Sequence, residues 1–244
     1  MRRMHLMYHG IHDDASSQGH FDPVYSVSPK RFAQHLDWIS EQERPERFHI
    51  TFDDGDISNV TTALPLLVDH GLLARGVRVT FFITGGFIDR PGMLRRADVR
   101  TLAEAGMHIG AHGMSHGFLE DMDLESLRCE LRDSKATLED IIHHEVDAMA
   151  LPGGRGGARE FEEALACGYR DLYGSRPGPD DGHTQAGWRN RVAVTRQLDE
   201  TKFAALANWN GSAARWARLR HGALALPKRV LGNARYQRLR AVLT

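Results

Sequence analysis

Short apolar runs alternate with segments of helical periodicity along most of the chain, and this alternation constrains the fold more than any other feature. The clearest run spans residues 77–84, where β-branched and aromatic residues predict a buried strand that ends at Gly85. Ser28 and Pro29 form a typical helix start between two such runs. Because no hairpin signal joins consecutive strands, the pattern predicts a parallel sheet. We expect an α/β fold of about seven units, a distorted (β/α)7-type barrel, with an open doubly wound sheet as the alternative.

The composition is that of an ordinary globular chain. Its 244 residues are 41% hydrophobic and 26% charged, which suits one large domain, and we assign residues 1–210 to the barrel. The net charge of −1 argues against a nucleic-acid partner. No apolar stretch has the length of a signal peptide core or a membrane span, and Cys129 and Cys167 lack metal-type spacing. The sequence therefore predicts a cytoplasmic protein with reduced thiols.

The end of the chain has a one-sided charge. No acidic residue follows Glu200, whereas residues 211–244 interleave basic side chains with tryptophan, leucine and valine. This pattern predicts one or two basic amphipathic helices on either side of Pro227. Two interpretations stay open: a helical tail that contacts a membrane surface, and a closing helix pair packed on the barrel with its basic face in solvent.

Two adjacent carboxylates end the strand predicted at residues 47–52. Successive strand residues point to opposite faces, so Asp53 and Asp54 converge on one site only if the backbone turns, which Gly55 permits. Two carboxylates this close repel each other when both are ionised, and a bound cation offsets the repulsion. We therefore interpret one carboxylate as a metal ligand and the other as a nearby base; an Asp-rich turn is the alternative.

A second polar cluster follows the strand predicted at residues 107–111. His112 and His116 are four residues apart, which on one helical turn places their rings on the same face, a spacing that suits one metal ion. The carboxyl ends of parallel strands share one rim of a barrel, so the aspartates and these histidines are expected to meet there. Asp54, His112 and His116 then form a ligand set with positions left for water and substrate, as in catalytic sites.

These two motifs resemble those of a known family. T-F-D-D-G at 51–55, followed by H-G-M-S-H at 112–116, is similar to the first two motifs of the polysaccharide deacetylases (NodB homology domain, carbohydrate esterase family 4), over residues 7–195. The resemblance implies a distorted (β/α) barrel and metal-dependent removal of acetyl groups from N-acetylated amino sugars. It also implies that Asp53 is the catalytic base and Asp54 a metal ligand.

The chain departs from the family pattern at two places. L-P-G-G at 151–154 resembles the third motif, a wall of the substrate groove, and identifies Pro152 and Gly153 as substrate contacts, but the arginine that usually precedes the proline is missing. Arg155 is a candidate to replace it, either by orienting Asp53 or by holding substrate; a solvated loop arginine is the alternative. Arg176, at the end of another predicted strand, is a further candidate substrate contact.

The second departure concerns the proton donor. No Leu-x-His motif follows residue 195, whereas M-Y-H-G-I at 7–11 resembles the opening of poly-N-acetylglucosamine-type exopolysaccharide deacetylases, whose acid histidine comes from the first strand. This resemblance identifies His9 as the general acid; a buried structural histidine is the alternative.

The sequence thus predicts a metal-dependent hydrolase that removes N-acetyl groups from an amino-sugar glycan or glycolipid in exopolysaccharide or cell-envelope biosynthesis. Zinc is the expected cofactor, although cobalt, nickel and iron also accept two imidazoles and a carboxylate. Two alternatives remain: a deacylase of an acetylated sugar lipid or small amide, and a carbohydrate-binding barrel that keeps the metal without catalysis. The presence of Asp53 argues against the second, because binding alone needs no base.

Overall fold

A computed structural model describes residues 3–13, 23–180 and 187–222, and its centre is a single sheet of eight parallel strands. Along the sheet the order is β7-β6-β5-β4-β3-β2-β1-β8. The strands are β1 (Met4–Tyr8), β2 (Phe48–Phe52), β3 (Arg78–Ile83), β4 (His108–Ala111), β5 (Ala148–Ala150), β6 (Asp171–Tyr173), β7 (Trp188–Arg189) and β8 (Val192–Ala193). The α/β fold predicted from the alternation is confirmed.

Helices cover the outer face of this sheet. They are α1 (Pro29–Ser40), α2 (Leu64–Asp69), α3 (Arg96–Glu104), α4 (Leu124–Ile142), α5 (Ala158–Ala166), α6 (Glu200–Ala207) and, within the described residues, α7 at 211–222. The predicted start of α1 is confirmed, because the Ser28 hydroxyl accepts a hydrogen bond from the backbone N–H of Arg31 and Pro29 occupies the first turn. Asp123 caps α4 in the same way, through the N–H of Ser126.

One helix contains a wider turn. Residues 59–63 form a turn of π-helix that continues directly into the regular helix α2 at Leu64. Proline has no N–H and its ring clashes with the carbonyl four residues earlier, so it disturbs the regular hydrogen bonding of a helix interior. The π-helical turn immediately before Pro65 accommodates this proline without ending the helix.

The sheet curls into a nearly closed barrel whose two edges are adjacent in sequence. β7 and β8 are the edge strands, and only Asn190 and Arg191 separate them. β7 and β8 have two residues each, and with them the sheet has eight strands within the described residues, where about seven strand–helix units were expected. Runs this short carry no alternation from which a strand could be predicted, and tertiary pairing decides them.

The two faces of the sheet carry different side chains. Outward-facing residues such as Ile50, Phe52 and Phe81 join the helices in the main apolar core. Inward-facing residues form a small separate apolar group of Phe82, Ala148, Ala150 and Tyr173. The rest of the interior is polar. Its buried polar side chains are, in chain order, His5, His49, Thr51, Asp53, Thr80, His112 and Arg191. A barrel interior filled in this way places ionisable groups next to one another out of water.

The C-terminal segment contacts the barrel at its start. In α7, Ala214 and Ala217 are buried, and Ala213 packs against the main core. Trp216 and Leu219 lie on the opposite side of this helix and are 52% and 73% exposed. The basic amphipathic helix predicted after Pro227 lies outside the described residues. Among the helices that the structure describes, none is long and apolar enough to cross a membrane.

Candidate active site

The turn after β2 brings both aspartate side chains to the carboxyl-terminal rim of the barrel. Asp53 and Asp54 are 3% and 6% exposed. Asp54 and Gly55 both have left-handed backbone angles, with φ of 77° and 89°. A Cβ on Gly55 would lie 3.1 Å from the Ile83 side chain, so glycine fits both the angle and the space. The turn needed for the carboxylates to converge therefore begins one residue earlier than predicted, at Asp54 itself, and such strain in a non-glycine residue is typical of functional sites.

Three side chains converge at this rim. The Oδ1 atom of Asp54 lies 3.4 Å from Nε2 of His112 and 3.1 Å from Nε2 of His116, and all three donor atoms lie within 4.8 Å of one another. The two histidines belong to a loop, with Gly113 at φ 74° and His116 at φ 61°, so the helical turn expected from their spacing is wrong. The four-residue spacing nevertheless brings the two ring centroids to within 5.1 Å.

The arrangement of these donor atoms fits a metal ion better than a hydrogen-bonded cluster. Although Asp54 Oδ1 is buried and close to two imidazoles, it makes no hydrogen bond of acceptable geometry. Two ligand atoms bound to tetrahedral zinc at about 2.0–2.1 Å are roughly 3.3 Å apart, which matches the spacings around Oδ1. The other ring nitrogen of His112, Nδ1, donates to the backbone carbonyl of Ala150 at 2.8 Å, so Nε2, which faces Asp54, is the nitrogen available to a metal ion.

The histidine loop is held by a residue that the sequence patterns did not single out. Glu130, on α4, accepts hydrogen bonds through one carboxylate oxygen from the backbone N–H groups of Met114 (2.6 Å) and Ser115 (3.0 Å). A Cβ on Gly113 would lie 3.0 Å from the same oxygen. An acidic residue in the middle of an amphipathic helix looks like part of its solvated face, so no sequence signal distinguishes Glu130.

Asp53 is paired with a second residue that the sequence analysis did not identify. The fully buried guanidinium of Arg191 donates from Nη1 to Oδ1 (2.6 Å) and from Nη2 to Oδ2 (2.8 Å) of Asp53, while its Nε donates to the carbonyl of Gly174 (3.0 Å). Burial alone would raise the pKa of Asp53, but the charge of Arg191, followed by that of His112, outweighs burial and lowers it. Asp53 is thus held ionised by a bidentate pair at the centre of the barrel.

Arg155, the residue proposed for this role, is placed differently. Its Nη1 donates to Glu120 (2.8 Å) and its guanidinium lies over the Phe118 ring. The guanidinium that orients Asp53 is that of Arg191, so that part of the prediction is wrong. Arg191, in the segment between β7 and β8, supplies a guanidinium to Asp53 although the third motif lacks its arginine. Pro152 itself is buried.

The loop around Pro152 packs closely against Phe118. Gly153 is exposed, with φ of 65°, and a Cβ there would lie 2.4 Å from the Phe118 ring. Arg176 is also exposed, and its backbone carbonyl accepts a hydrogen bond from the N–H of Arg191. The roles predicted for Pro152, Gly153, Arg155 and Arg176 in substrate binding remain predictions.

His9 follows β1 and lies at the same rim. Its ring stacks on Tyr25, with centroids 4.7 Å apart, and its backbone carbonyl accepts a hydrogen bond from the Asn59 side chain. Burial lowers the pKa of His9, and the nearby charges of Asp54 and Asp53 act in the opposite direction without reversing the shift. The Nδ1 atom is buried and has no hydrogen-bond partner among the described residues, so it is available for a hydrogen bond with a bound molecule.

The chain is similar in sequence to known proteins over much of its length. Residues 40–172, which are 133 of the 244, match the family model described as Polysaccharide deacetylase. A polysaccharide deacetylase named YxkH, from Bacillus subtilis, is 24% identical over 219 residues, which are 82% of this chain and 74% of the relative. A chitooligosaccharide deacetylase of Rhizobium leguminosarum bv. trifolii is 26% identical over 141 residues, covering 54% of this chain and 61% of that protein.

Solved structures share the fold. The deacetylase PplD of Streptococcus pyogenes, solved with acetate, superposes with a TM-score of 0.73 at 20% identity and covers 85% of this chain and 98% of its own. IcaB from Ammonifex degensii superposes with a TM-score of 0.65 at 20% identity, over 89% and 97% of the two chains. Because the family model spans more than half of the sequence and its motifs meet at one rim of the described barrel, this chain belongs to the polysaccharide deacetylase family.

Proposed function

We propose that this protein is a metal-dependent hydrolase that removes N-acetyl groups from an amino-sugar glycan. Family membership supports deacetylation of a sugar. The observation that carries the metal dependence is the convergence of Asp54, His112 and His116, with Asp53 held ionised beside them. Zinc suits a site of two imidazoles and one carboxylate, and cobalt, nickel or iron would be accepted by the same donors.

In this proposal the two aspartates have different roles: Asp54 is a metal ligand and Asp53 is the catalytic base. A divalent ion held by Asp54, His112 and His116 would polarise the acetyl carbonyl and acidify a water molecule. Asp53 accepts the proton of the attacking water, since its pKa is lowered and it is ionised at neutral pH. Arg191 keeps the Asp53 carboxylate in one orientation by binding both of its oxygens.

We assign His9 as the donor of the proton to the departing sugar nitrogen. Its position at the rim and its unpartnered Nδ1 support this role. Because burial lowers its pKa, the ring has to take up a proton before it can donate one, and the charges of Asp54 and Asp53 favour that uptake. Replacement of His9 by Gln should therefore lower kcat while leaving metal binding intact, which equilibrium dialysis with zinc would measure.

Relatives indicate the class of substrate. One of them is a deacetylase of chitooligosaccharides, and IcaB is among the proteins that share the fold. We therefore propose an N-acetylated glycan or glycolipid of an exopolysaccharide or the cell envelope as substrate, held by the loop of Pro152 and Gly153 and by the guanidinium groups of Arg155 and Arg176. A sugar lipid or small amide is the alternative within the same chemistry.

Acetate release tests the proposal. The purified protein, loaded with zinc, should release acetate from N-acetylglucosamine oligomers, and a chelator should stop the release. Asp53→Asn should bind zinc as tightly as the wild type and release no acetate; full activity in this variant would refute the assignment of the base. A zinc-bound wild type that is inactive on all N-acetylated sugars, sugar lipids and amides would identify a carbohydrate-binding barrel instead.

We also propose that the exposed face of α7 contacts an anionic membrane surface. Arg215, Trp216 and Leu219 share that face, and no acidic residue occurs after Glu200. The full chain should sediment with phosphatidylglycerol vesicles and not with phosphatidylcholine vesicles. A chain ending at residue 210 should stay in the supernatant, and so should a variant with serine at positions 216 and 219. Equal recovery of the full chain from both lipids would refute membrane contact.

A further inference from the structure

The polar end of the barrel opposite the candidate active site contains a buried hydrogen-bonded chain that the proposed chemistry does not use. His5 Nδ1 lies 2.8 Å from Nδ1 of His49, and His49 Nε2 lies 2.8 Å from the Thr80 hydroxyl. At the other end, Nε2 of His5 lies 2.9 Å from a carboxylate oxygen of Asp180. The rings of His5 and His49 are 2% and 1% exposed, so these contacts are closed off from water.

The carboxylate of Asp180 fixes the direction of the protons along this chain. An ionised carboxylate only accepts, so His5 must donate from Nε2, and the neutral ring then accepts at Nδ1. His49 therefore donates from Nδ1 and accepts at Nε2 from the Thr80 hydroxyl. Every ring nitrogen of the pair is satisfied by this single arrangement, which begins at Asp180.

Asp180 also holds the segment between the two edge strands. Its second carboxylate oxygen accepts the backbone N–H of Asn190 at 3.0 Å, and its backbone exchanges two hydrogen bonds with Arg3, of 3.2 and 2.8 Å. Arg189 approaches the same carboxylate at 3.7 Å. The Asp180 side chain thus connects His5 of β1 with Asn190, the residue immediately before Arg191.

This tie lies where the sheet has no ladder of its own. β7 pairs with β6, and β8 pairs with β1, but β7 and β8 are the edges of the sheet. Arg191 lies between β7 and β8, and its guanidinium extends across the interior to Asp53, which is 138 positions away in the sequence. The backbone of Arg191 is anchored through one bond to the carbonyl of Arg176. Asn190 and Arg191 belong to neither strand, so the backbone bonds of Arg189 with Gly174 and of Arg191 with Arg176 are supplemented there by the Asp180 side chain.

We propose that Asp180, supported by His5, is a positioning residue that holds Arg191 in register with Asp53. This inference rests on the proposed function, in which Asp53 is the base. Asp180 acts from the far end of the barrel, through the backbone of residues 189–191, and touches no reacting group. A shift of about 1 Å in a supporting group can lower a rate about 100-fold, so loss of the tie is expected to reduce kcat without changing the metal ligands.

A conservative substitution separates positioning from charge. In Asp180→Asn the amide oxygen can still accept from Asn190, and the amide nitrogen can donate to His5 Nε2. The protons of the chain then reverse: His5 donates from Nδ1 to His49, and His49 donates from Nε2 to Thr80. All these contacts are retained, so Asp180→Asn should behave like the wild type. Asp180→Ala loses the contacts with both His5 and Asn190.

The experiment compares Asp180→Ala, Asp180→Asn and a control, Asp147→Asn, in the full-length zinc-loaded protein. Asp147 lies 3.2 Å from His108, whose other ring nitrogen is 3.5 Å from Thr80, so the control removes a carboxylate at the opposite end of the same polar layer. We expect kcat for acetate release to fall at least about ten-fold in Asp180→Ala and to stay within about two-fold in the other two variants. Zinc content and KM should be unchanged in all of them.

A spectroscopic readout makes the outcome independent of the activity. In protein labelled with ¹⁵N-arginine, the Nε–H signal of Arg191, assigned by its absence in Arg191→Lys, should exchange slowly with solvent in the wild type, the control and Asp180→Asn, and rapidly in Asp180→Ala. A slowly exchanging signal together with wild-type kcat in folded Asp180→Ala would overturn the inference. If the wild type releases no acetate, the proposed function fails, and an unchanged Arg191 signal in Asp180→Ala alone would overturn the positioning.

Discussion

Removal of the Arg191 guanidinium should leave Asp53 as a buried charge without a counter-ion, and the cost of this change can be worked out from the contacts. Arg191 is fully buried and Asp53 is 4% exposed on its side chain, so neither group can turn to water for compensation. Arg191→Met keeps an apolar chain of similar length in the same space. It removes both hydrogen bonds to the carboxylate and the bond to the carbonyl of Gly174.

The expected loss of stability is large. Breaking a buried ion pair by removing one partner costs about 3–5 kcal/mol, because the remaining charge is left uncompensated. Replacing both partners by uncharged groups is far less costly, so Arg191→Met in an Asp53→Asn background should cost only about 1–2 kcal/mol. The pH dependence follows from the sign of the shift. With Arg191 the folded state lowers the pKa of Asp53, so its stabilisation is present above the ordinary pKa and is lost as the pH falls.

In the Arg191→Met variant the sign reverses, because burial raises the pKa of Asp53 when the cation is gone. The carboxyl group can then take up a proton in the folded state, and the difference in stability between variant and wild type should shrink from pH 7 to pH 4. Urea unfolding of the metal-free proteins at both pH values, for the four members of the double-mutant cycle, measures these differences. A loss below about 1 kcal/mol at pH 7, or an equal loss in the Asp53→Asn background, would refute the reasoning.

Three further predictions concern the loop, the metal and a buried histidine. Glu130→Ala should weaken zinc binding about 10- to 100-fold, measured by competition with a chromophoric chelator, because the histidine loop loses its acceptor. Zinc at 100 times its Kd should stabilise the wild type by about 2.7 kcal/mol in thermal unfolding and should leave His116→Ala unaffected, whereas exposed His144→Ala should respond like the wild type. Burial lowers the pKa of His35 to about 3, so the unfolded chain binds its proton first as the pH falls below 6.5. His35→Gln should therefore lose less stability than the wild type between pH 6 and 4, by up to about 1.4 kcal/mol per pH unit, in urea titrations.

Much of the fold was predictable because its elements are local. The alternation of strands and helices and the caps of α1 and α4 follow from residues within a few positions of one another. The strands at the two edges were harder, since β7 and β8 have two residues each and their pairing partners, β6 and β1, lie elsewhere in the sequence. Short edge strands are defined by tertiary contacts, and no periodicity marks them.

The candidate site divides along the same line. Asp54, His112 and His116 could be predicted to meet because each follows a strand of one parallel sheet, and parallel strands deliver their carboxyl ends to one rim. Arg191 could not, because its contact with Asp53 spans 138 positions and depends on the gap between β7 and β8. Arg155 was the natural candidate by sequence proximity to the third motif. The family resemblance implied a guanidinium beside Asp53. Which arginine supplies it depends on the closure of the barrel, which brings Arg191 to Asp53.

The two adjacent aspartates can both remain ionised because each has its own partner in a different direction. Arg191 binds Asp53 from inside the barrel, whereas the imidazoles of His112 and His116 face Asp54 from the rim. Burial alone would raise the pKa of Asp54, yet the two imidazoles that face it, His112 first, lower this pKa well below its usual range. The left-handed turn at Asp54 is what separates these directions, because an extended backbone would send the second carboxylate to the outer, apolar face of the sheet. The strained angle therefore has a chemical consequence: it converts two repelling neighbours into two independently stabilised carboxylates, one placed for a metal ion and one for a proton.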